Sequence, residues 1–216
     1  FRVILDFLRD LDGSHTQRTI RALAETAQES MMKELDYFGL ETAGFGAPPW
    51  VDGAVFQQGP AMSEGRFGCA AVFAGGRVVV FGGVSDGSPL NTTLLLDTQT
   101  MTFAAGPNIL SGREGCAAVQ IDASRVLVVG GRCGAPLNTT EIFHLLTLTV
   151  TPGPIMLSAR SGCAAVALDA RRILVVGGCD GASYLPTTEI FSLDTMSFAP
   201  GPSMAAPRQG PSLIHT

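Results

Sequence analysis

The sequence is poor in charged residues and contains no long apolar run. Charged residues make up 15% of its 216 residues, Lys33 is its only lysine, and the formal net charge is −5. A chain with net negative charge lacks the electrostatic footprint of a nucleic-acid-binding protein. The apolar runs are short and follow arginines such as Arg77 and Arg125, so none reaches the length that spans a membrane. We therefore expect neither a nucleic-acid partner nor a membrane partner.

The first residues lack the features of a secretory signal peptide. Asp6 comes too early in the apolar stretch that begins at Phe1, and no small-residue cleavage site follows. The sequence also starts without an initiator methionine and ends abruptly, so we expect it to be part of a longer protein. These observations predict an intracellular, cytoplasmic protein.

One sequence pattern occurs three times. Each copy contains Arg-x-Gly-Cys-Ala-Ala-Val, an aliphatic run ending in Gly-Gly, a Thr-Thr pair and then Gly-Pro. The arginine recurs at intervals of 47, 47 and 48 residues, at Arg66, Arg113, Arg160 and Arg208. The glycine pairs are Gly82-Gly83, Gly130-Gly131 and Gly177-Gly178. Such a period indicates a supersecondary unit that stacks on its neighbours, because one unit cannot bury its own faces.

Each copy has the pattern of four short β-strands. The first is the Gly-Cys-Ala-Ala-Val run, the second is the aliphatic run, the third follows the Thr pair, and the fourth ends at Phe103, Val150 or Phe198. The second run is continuously apolar, which is typical of a strand buried on both faces. We predict a mainly β fold with full units at 66–107, 113–154 and 160–202, a lone fourth strand at 54–60, and the start of a further unit at 208–216.

The cysteines do not have the spacing of a disulfide or a metal site. Cys69, Cys116 and Cys163 occupy one position of the repeat, where a small buried residue fits. Equivalent positions in neighbouring units are too far apart for a disulfide or a tetrahedral metal site. Cys133 and Cys179 follow the glycine pairs, in loops. We expect reduced thiols and no metal or other cofactor.

Residues 1–42 have a helical pattern instead. Their apolar residues fall on three short faces, Asp12-Gly13-Ser14 separates the first face from the second, and Gly39 ends the third. Residues 43–53 are rich in glycine and proline and predict a linker.

The repeat resembles the kelch motif. The resemblance is carried by the glycine pair, the Thr-Glu-Ile-Phe sequence of the second and third copies, the fourth strand, the Gly-Pro and the arginine, at a period close to the one expected for kelch repeats. It covers residues 50–209. It departs from the family where many kelch motifs have Tyr or Trp, at Phe143, Phe191, Phe103, Val150 and Phe198. The resemblance implies a partial kelch-type β-propeller with three full four-stranded blades plus partial strands.

Residues 1–9 (FRVILDFLR) and 34–40 (ELDYFGL) are similar to the C-terminal end of a BTB domain of the potassium-channel tetramerisation type. Such a domain implies homo-oligomerisation and, in many relatives, recruitment of a cullin-3 ubiquitin ligase. Some relatives bind interfacial zinc through Cys and His, but no cysteine precedes Cys69 here. With its short linker, the chain resembles protist BTB–kelch proteins, in which the propeller follows the BTB domain almost directly.

The recurrent arginines have two interpretations. Arg66, Arg113, Arg160 and Arg208 either form a ring that binds acidic peptides, or each joins a blade to its neighbour through carbonyls or carboxylates. Their invariance across the copies favours the second interpretation. Glu141 and Glu189 are candidate partners for them, whereas the first copy has Leu94 at the same position.

The sequence indicates binding loops rather than catalytic residues. The copper radical oxidases built on kelch propellers need Tyr and His ligands together, and this sequence has only Tyr37, Tyr184 and three scattered histidines. Loops that differ between matched repeats are where specificity usually lies. We expect partner contacts in the loops 84–90, 132–137 and 179–185, which contain Asp86, Arg132, Asp180 and Tyr184, and along the connections 62–65, 108–112 and 155–159.

Together these patterns predict a protein-interaction protein without enzymatic activity. Its BTB-like part self-associates and its propeller binds a protein partner, and the resemblance alone implies a role as substrate adaptor of a cullin-3 ligase. Two alternatives remain. One is a scaffold without ligase activity, in trafficking or cytoskeletal assembly, and the other is an enzyme whose site lies in blades outside this sequence.

Overall fold

The computed structural model of the chain describes residues 59–211. Every regular secondary-structure element in that range is a β-strand. In this range there is no helix that is long and apolar enough to cross a membrane. The predicted helical segment at 1–42, the linker at 43–53, most of the lone strand at 54–60 and the last residues of 208–216 lie outside the described residues.

Three four-stranded antiparallel sheets form this region, one for each copy of the repeat. The first unit contains β1 (Ala70–Ala74), β2 (Arg77–Phe81), β3 (Val84–Ser85), β4 (Ser88–Pro89), β5 (Thr93–Asp97) and β6 (Thr102–Ala105). The second contains β7 (Ala117–Asp122), β8 (Arg125–Val129), β9 (Arg132–Cys133), β10 (Ala135–Pro136), β11 (Thr140–His144) and β12 (Thr149–Pro152). The third contains β13 (Ala164–Ala167), β14 (Arg172–Val176), β15 (Thr188–Ser192) and β16 (Ser197–Pro200).

The strand order is the same in all three sheets. They are β1-β2-β5-β6, β7-β8-β11-β12 and β13-β14-β15-β16, so each strand pairs with the next strand of the repeat. The short strands β3 and β4 pair only with each other, as do β9 and β10. The prediction of a mainly β fold made of repeated four-stranded units is confirmed.

Three local features differ from the sequence prediction. The fourth strands end two residues later than expected, at Ala105, Pro152 and Pro200. The first strand of each sheet begins two residues later than expected, because the preceding Gly68, Gly115 and Gly162 have φ between 60° and 65°, outside the extended region. The hairpins after the first two glycine pairs were not expected. In the β3–β4 hairpin, Asp86 and Gly87 have φ of 49° and 75° and form the two-residue turn that suits antiparallel strands.

The hydrophobic core lies between adjacent sheets. Alternate side chains of a strand point to opposite faces, and those of residues 126–129 in β8 are fully buried on both. Val126 and Val128 pack on the side of the first sheet, in a cluster that contains Phe81 and Phe143. These two rings meet edge to face, with centroids 5.3 Å apart. Leu127 and Val129 pack on the other side, with residues of the third sheet. Each sheet therefore depends on its neighbours for burial.

Main-chain hydrogen bonds also join each unit to the next. One glycine of each unit donates to its equivalent in the preceding unit: Gly115 N to Gly68 O at 2.7 Å, Gly162 N to Gly115 O at 2.7 Å, and Gly210 N to Gly162 O at 2.8 Å. The first glycine of each pair lies against the next unit. A Cβ added to Gly130 would overlap the carbonyl oxygen of Arg160, and Gly130 also has a φ of 61°. This position therefore requires glycine for two reasons.

We expect Gly130→Ala to lower the free energy of unfolding by about 3 kcal/mol, from the strained dihedral together with the overlap with Arg160. The matched control is Gly134→Ala, because Gly134 also has a positive φ of 75° but has no atom within 4 Å of the added Cβ. The control should lose only about 1 kcal/mol. Urea unfolding monitored by circular dichroism measures both, and equal losses would show that the close approach of Arg160 is unimportant.

Candidate functional site

Arg113 uses all five of its side-chain N–H donors inside the protein. Nη1 donates to Gly130 O at 2.7 Å and to Thr139 O at 2.9 Å. Nη2 donates to Thr139 Oγ1 at 2.9 Å and to Glu141 Oε1 at 2.7 Å, and Nε donates to the same Glu141 oxygen at 3.0 Å. The rigid fork of a guanidinium group suits such convergent acceptors. The side chain of Arg113 thus holds together the ends of the second and third strands of its own sheet.

The main chain of Arg113 contacts the preceding sheet instead. Its N–H donates to Leu90 O at 3.0 Å, and its carbonyl accepts a hydrogen bond from Gly83 N at 2.7 Å. One residue therefore connects two blades, by its peptide groups to one and by its guanidinium to the other.

Glu141 completes this connection. Its carboxylate also accepts hydrogen bonds from Leu110 N at 2.6 Å and from Ser111 N at 3.2 Å, in the segment that leads from the first sheet to the second. The side chains of Arg113 and Glu141 are 1% and 2% exposed. A buried charge pair is tolerated when its remaining donors and acceptors are satisfied, and here both charged groups are surrounded by hydrogen-bond partners.

Arg160 and Glu189 repeat the arrangement in the third unit. Arg160 donates to Gly177 O at 2.9 Å, Thr187 O at 2.9 Å, Thr187 Oγ1 at 2.9 Å and Glu189 Oε1 at 3.0 Å. Glu189 accepts from Leu157 N at 2.7 Å and from Ser158 N at 3.0 Å. Arg160 Nη2 also lies 3.0 Å from Glu189 Oε1. The guanidinium groups of Arg113 and Arg160 thus direct all of their N–H groups to acceptors of their own blades, which leaves no free donor for an acidic peptide.

Arg66 departs from this arrangement, because Leu94 occupies the position of Glu141. Arg66 Nη1 still donates to Gly82 O at 2.9 Å and to Thr92 O at 3.2 Å, but Nη2 pairs with Glu64 Oε1 at 2.7 Å. Among the described residues, its buried Nε has no hydrogen-bond partner. The fourth recurrent arginine, Arg208, has an exposed side chain, and its carbonyl accepts a hydrogen bond from Gly178 N at 2.8 Å.

The predicted binding residues lie in the loops that follow the glycine pairs. We call residues 84–89, 132–136 and 179–184 the loop edge, because all three segments leave the same end of the second strand of their sheets. Asp86 is exposed at the tip of its hairpin. Arg132 is 54% exposed, donates from Nε to Gly134 O at 3.2 Å, and lies 3.9 Å from Glu114 Oε1.

Asp180 and Tyr184 belong to the third segment of the loop edge. The carboxylate of Asp180 accepts hydrogen bonds from Ser183 N at 2.7 Å and Ala182 N at 2.8 Å, and these bonds lower its pKa below the usual value. Tyr184 is 58% exposed and borders an open cavity of about 510 Å³. The structure therefore gives Asp180 a role in the turn and leaves Tyr184 available for contacts.

The described residues contain no group of three or more His, Cys, Asp or Glu side chains that is arranged to hold a metal ion. All five cysteines are free thiols. Burial raises the pKa of Cys116 to about 12 and that of Cys163 to about 11. Since the thiolate is the reactive form of cysteine, these two side chains behave as small apolar core residues.

Sequence reasoning did not assign a role to the Thr pairs. The first threonine of each pair accepts from the recurrent arginine, and the second uses its hydroxyl to hold the loop after the fourth strand. Thr140 Oγ1, for example, donates to Pro154 O at 2.6 Å. The recurrence of Thr-Thr before the third strand was the sequence feature that could have indicated this role.

We expect Glu141→Leu, which copies the residue found in the first unit, to lower the free energy of unfolding by about 3–5 kcal/mol, because it leaves the charge of Arg113 buried without its partner. The control is Glu114→Gln, which breaks only the exposed pair with Arg132 and should cost less than about 1 kcal/mol. Urea denaturation curves measure both variants. A loss of less than 1 kcal/mol in Glu141→Leu would contradict a structural role for this pair.

Comparison with known proteins agrees with this geometry. The family model of the Kelch motif matches residues 65–108 and 159–205, which contain the first and third sheets. The second sheet lies between the two matches, has the same strand order as both, and repeats the arginine contacts of the third. No curated protein matches the chain. Kelch repeats generally mediate protein–protein interaction. The chain therefore carries kelch repeats, and its three sheets are blades of a partial kelch-type β-propeller.

Proposed function

We propose that this chain is a protein-interaction protein whose kelch blades bind a protein partner at the loop edge. The observation that supports the proposal is that recurring and variable residues have different roles within each repeat. The residues that recur in every copy, such as Arg113 and Thr139, are used for hydrogen bonds within a blade and, through the main chain of the arginine, to the preceding blade. The segments that differ between the copies are exposed at one edge of the sheets.

The chemistry of the loop edge suits a protein surface. Tyr184 offers a large, half-exposed ring with a polar hydroxyl group, and Arg132 offers an exposed guanidinium whose one ion pair within residues 59–211 is a long one. Tyr and Arg are the residue types that most often dominate protein–protein binding energy. Asp86 adds an acidic group, so a partner with both apolar and charged groups fits this edge better than a purely basic or acidic one.

The double variant Arg132→Ala/Tyr184→Ala tests this proposal. The full chain is immobilised, and the protein captured from an extract of its own cells is quantified by mass spectrometry. We expect the double variant to retain less than a tenth of the partner, as is typical when two anchor residues are removed. Its thermal unfolding midpoint should stay within about 2 °C of the original, because both side chains are exposed.

Leu146→Ala is the matched control. Leu146 is 84% exposed, but it lies in the turn between β11 and β12, at the opposite end of β11 from the loop edge. The control should capture the partner as well as the original chain does. Equal capture by the double variant and the control would contradict binding at the loop edge.

A finer version of the proposal concerns residues 1–42. We propose that this segment self-associates and brings the propeller to a cullin-3 ubiquitin ligase, so that the captured protein is presented as a substrate. The support is the similarity of residues 1–9 and 34–40 to the end of a BTB domain. A scaffold without ligase activity, in trafficking or cytoskeletal assembly, is the alternative.

A direct binding measurement separates the adaptor from the scaffold. We expect purified cullin-3 to bind the complete protein in a pulldown, and to lose binding when residues 1–42 are deleted. A complete protein that captures its partner but not cullin-3 would instead support the scaffold.

A further inference from the structure

The second and third blades define how this fold holds a carboxylate at the start of a blade. In the second blade the Glu141 carboxylate accepts four hydrogen bonds, from Arg113 Nε, Arg113 Nη2, Leu110 N and Ser111 N. The third blade repeats the arrangement around Glu189. The donors belong to the connecting segment, whereas the carboxylate comes from the third strand.

The first blade has the same donors without that carboxylate. Ser63 and Glu64 occupy the same bend as Leu110 and Ser111, at an offset of 47 residues. Among residues 59–211, neither of their backbone N–H groups has an acceptor. The register of the sheet also matches, because Leu94 pairs with Val80 as Glu141 pairs with Val128. An apolar side chain therefore stands where the other blades place the carboxylate.

The guanidinium of Arg66 keeps the orientation seen in the other blades. Its Nη1 contacts Gly82 O and Thr92 O, the counterparts of the acceptors of Arg113, and its Nη2 contacts Thr92 Oγ1 at 3.1 Å. In the second blade the corresponding Nε–H donates to Glu141, and Leu94 takes that strand position in the first blade. The side chain of Arg66 is fully buried, and its Nε is the one buried side-chain polar atom of the described residues that lacks a partner. An unpaired donor on a buried cation is costly.

Glu64 replaces the absent carboxylate only in part. Its Oε1 reaches Arg66 Nη2 at 2.7 Å and Thr92 Oγ1 at 3.2 Å, but it does not pair with Nε. Its side chain is 37% exposed, against 2% for Glu141. An exposed carboxylate of this kind can turn into solvent at little cost, because surface ion pairs contribute about 1 kcal/mol or less.

An open groove leads to this position. Its volume is about 410 Å³, and its walls include Pro60, Met62, Ser63, Leu94 and Phe103. Ser63 and Leu94 are the counterparts of Leu110 and Glu141, so the groove borders the place where the other blades hold their carboxylate, and the buried side chain of Arg66 lies behind its wall. Its apolar walls suit the methylene groups of a side chain that carries a charge at its end.

We propose that the first blade contains a carboxylate-binding site, formed by Arg66 and the bend at Ser63 and Glu64, which accepts a glutamate side chain of a protein partner. The incoming carboxylate displaces that of Glu64, the side chain of Leu94 moves aside, and Arg66 Nε and Nη2 donate hydrogen bonds to the carboxylate, as Arg113 donates to Glu141 in the second blade. Charge-assisted hydrogen bonds to a guanidinium are among the stronger ones in proteins. The site deepens the proposed function by naming one group of the partner, and it lies in the connecting segment rather than in the loop edge.

Nuclear magnetic resonance of the arginine Nε–H groups in the full chain tests the site without a partner protein. The probes are glutamate blocked as its N-acetyl, N-methylamide derivative, and the corresponding blocked glutamine. We expect blocked glutamate to move the Arg66 Nε–H signal saturably and to leave the Arg113 and Arg160 signals in place. Blocked glutamine should bind at least tenfold more weakly, since it lacks the charge. N-acetylalanine, whose only carboxylate is at the main chain, should also bind more weakly.

Two variants complete the test. Leu94→Glu supplies the carboxylate internally, so its Arg66 Nε–H signal should lie near those of Arg113 and Arg160 before any addition, and blocked glutamate should no longer move it. Glu64→Gln removes the competing charge and should tighten binding of blocked glutamate severalfold.

Three outcomes would overturn the proposal: an Arg66 Nε–H signal that stays fixed at saturating blocked glutamate, an equal response in Leu94→Glu, or tighter binding of N-acetylalanine than of blocked glutamate. Any of them would leave the loop-edge capture experiment unaffected, so failure of this site and failure of the proposed function are distinguishable.

Discussion

The contact on which the structure depends is made by one residue in each repeat, the arginine that ends the connecting segment. At Arg113 and Arg160 the carbonyl accepts a hydrogen bond from the second glycine of the pair in the preceding blade, and the guanidinium donates to the glycine, threonine and glutamate of the following blade. The other inter-blade features are consistent with this contact. The first glycine of each pair has no side chain because the arginine carbonyl of the next unit lies against it, and the buried glutamate holds the bend that precedes the arginine.

Much of this fold could be predicted from the sequence because the same pattern of residues occurs in three copies. A position that recurs as Arg, Gly-Gly or Thr-Thr in three copies is constrained by contacts that also recur, and Glu141 and Glu189 could be recognised as candidate partners of the arginines. The strand starts were less predictable. Gly68 and its equivalents continue an apolar run in sequence, but their positive φ and their hydrogen bonds to one another take them out of the strands.

The details of the site depend on departures from the repeat, which a repeat pattern cannot interpret. Leu94 was visible in the sequence as an exception, but the consequence could not be deduced from it. The exception matters because the rest of the local geometry is unchanged: the bend, the arginine orientation and the sheet register persist, so the missing carboxylate leaves donors behind. The substitute, Glu64, lies in the connecting segment and has no counterpart among the recurring residues. The loop edge is hard to predict for the opposite reason. Its residues differ from one copy to the next, so no recurring pattern indicates what each of them contacts.

The glycine-to-glycine hydrogen bonds that link successive blades have a consequence for how such a chain is inherited. Each repeat contributes one main-chain donor and one main-chain acceptor to this series, and neither depends on which side chains the neighbour carries. A repeat copied by tandem duplication would therefore already carry the main-chain N–H and C=O groups that bond to both of its neighbours. After the duplication, each copy's loops and connecting segment could diverge separately, as the first blade has done with Leu94 and Glu64.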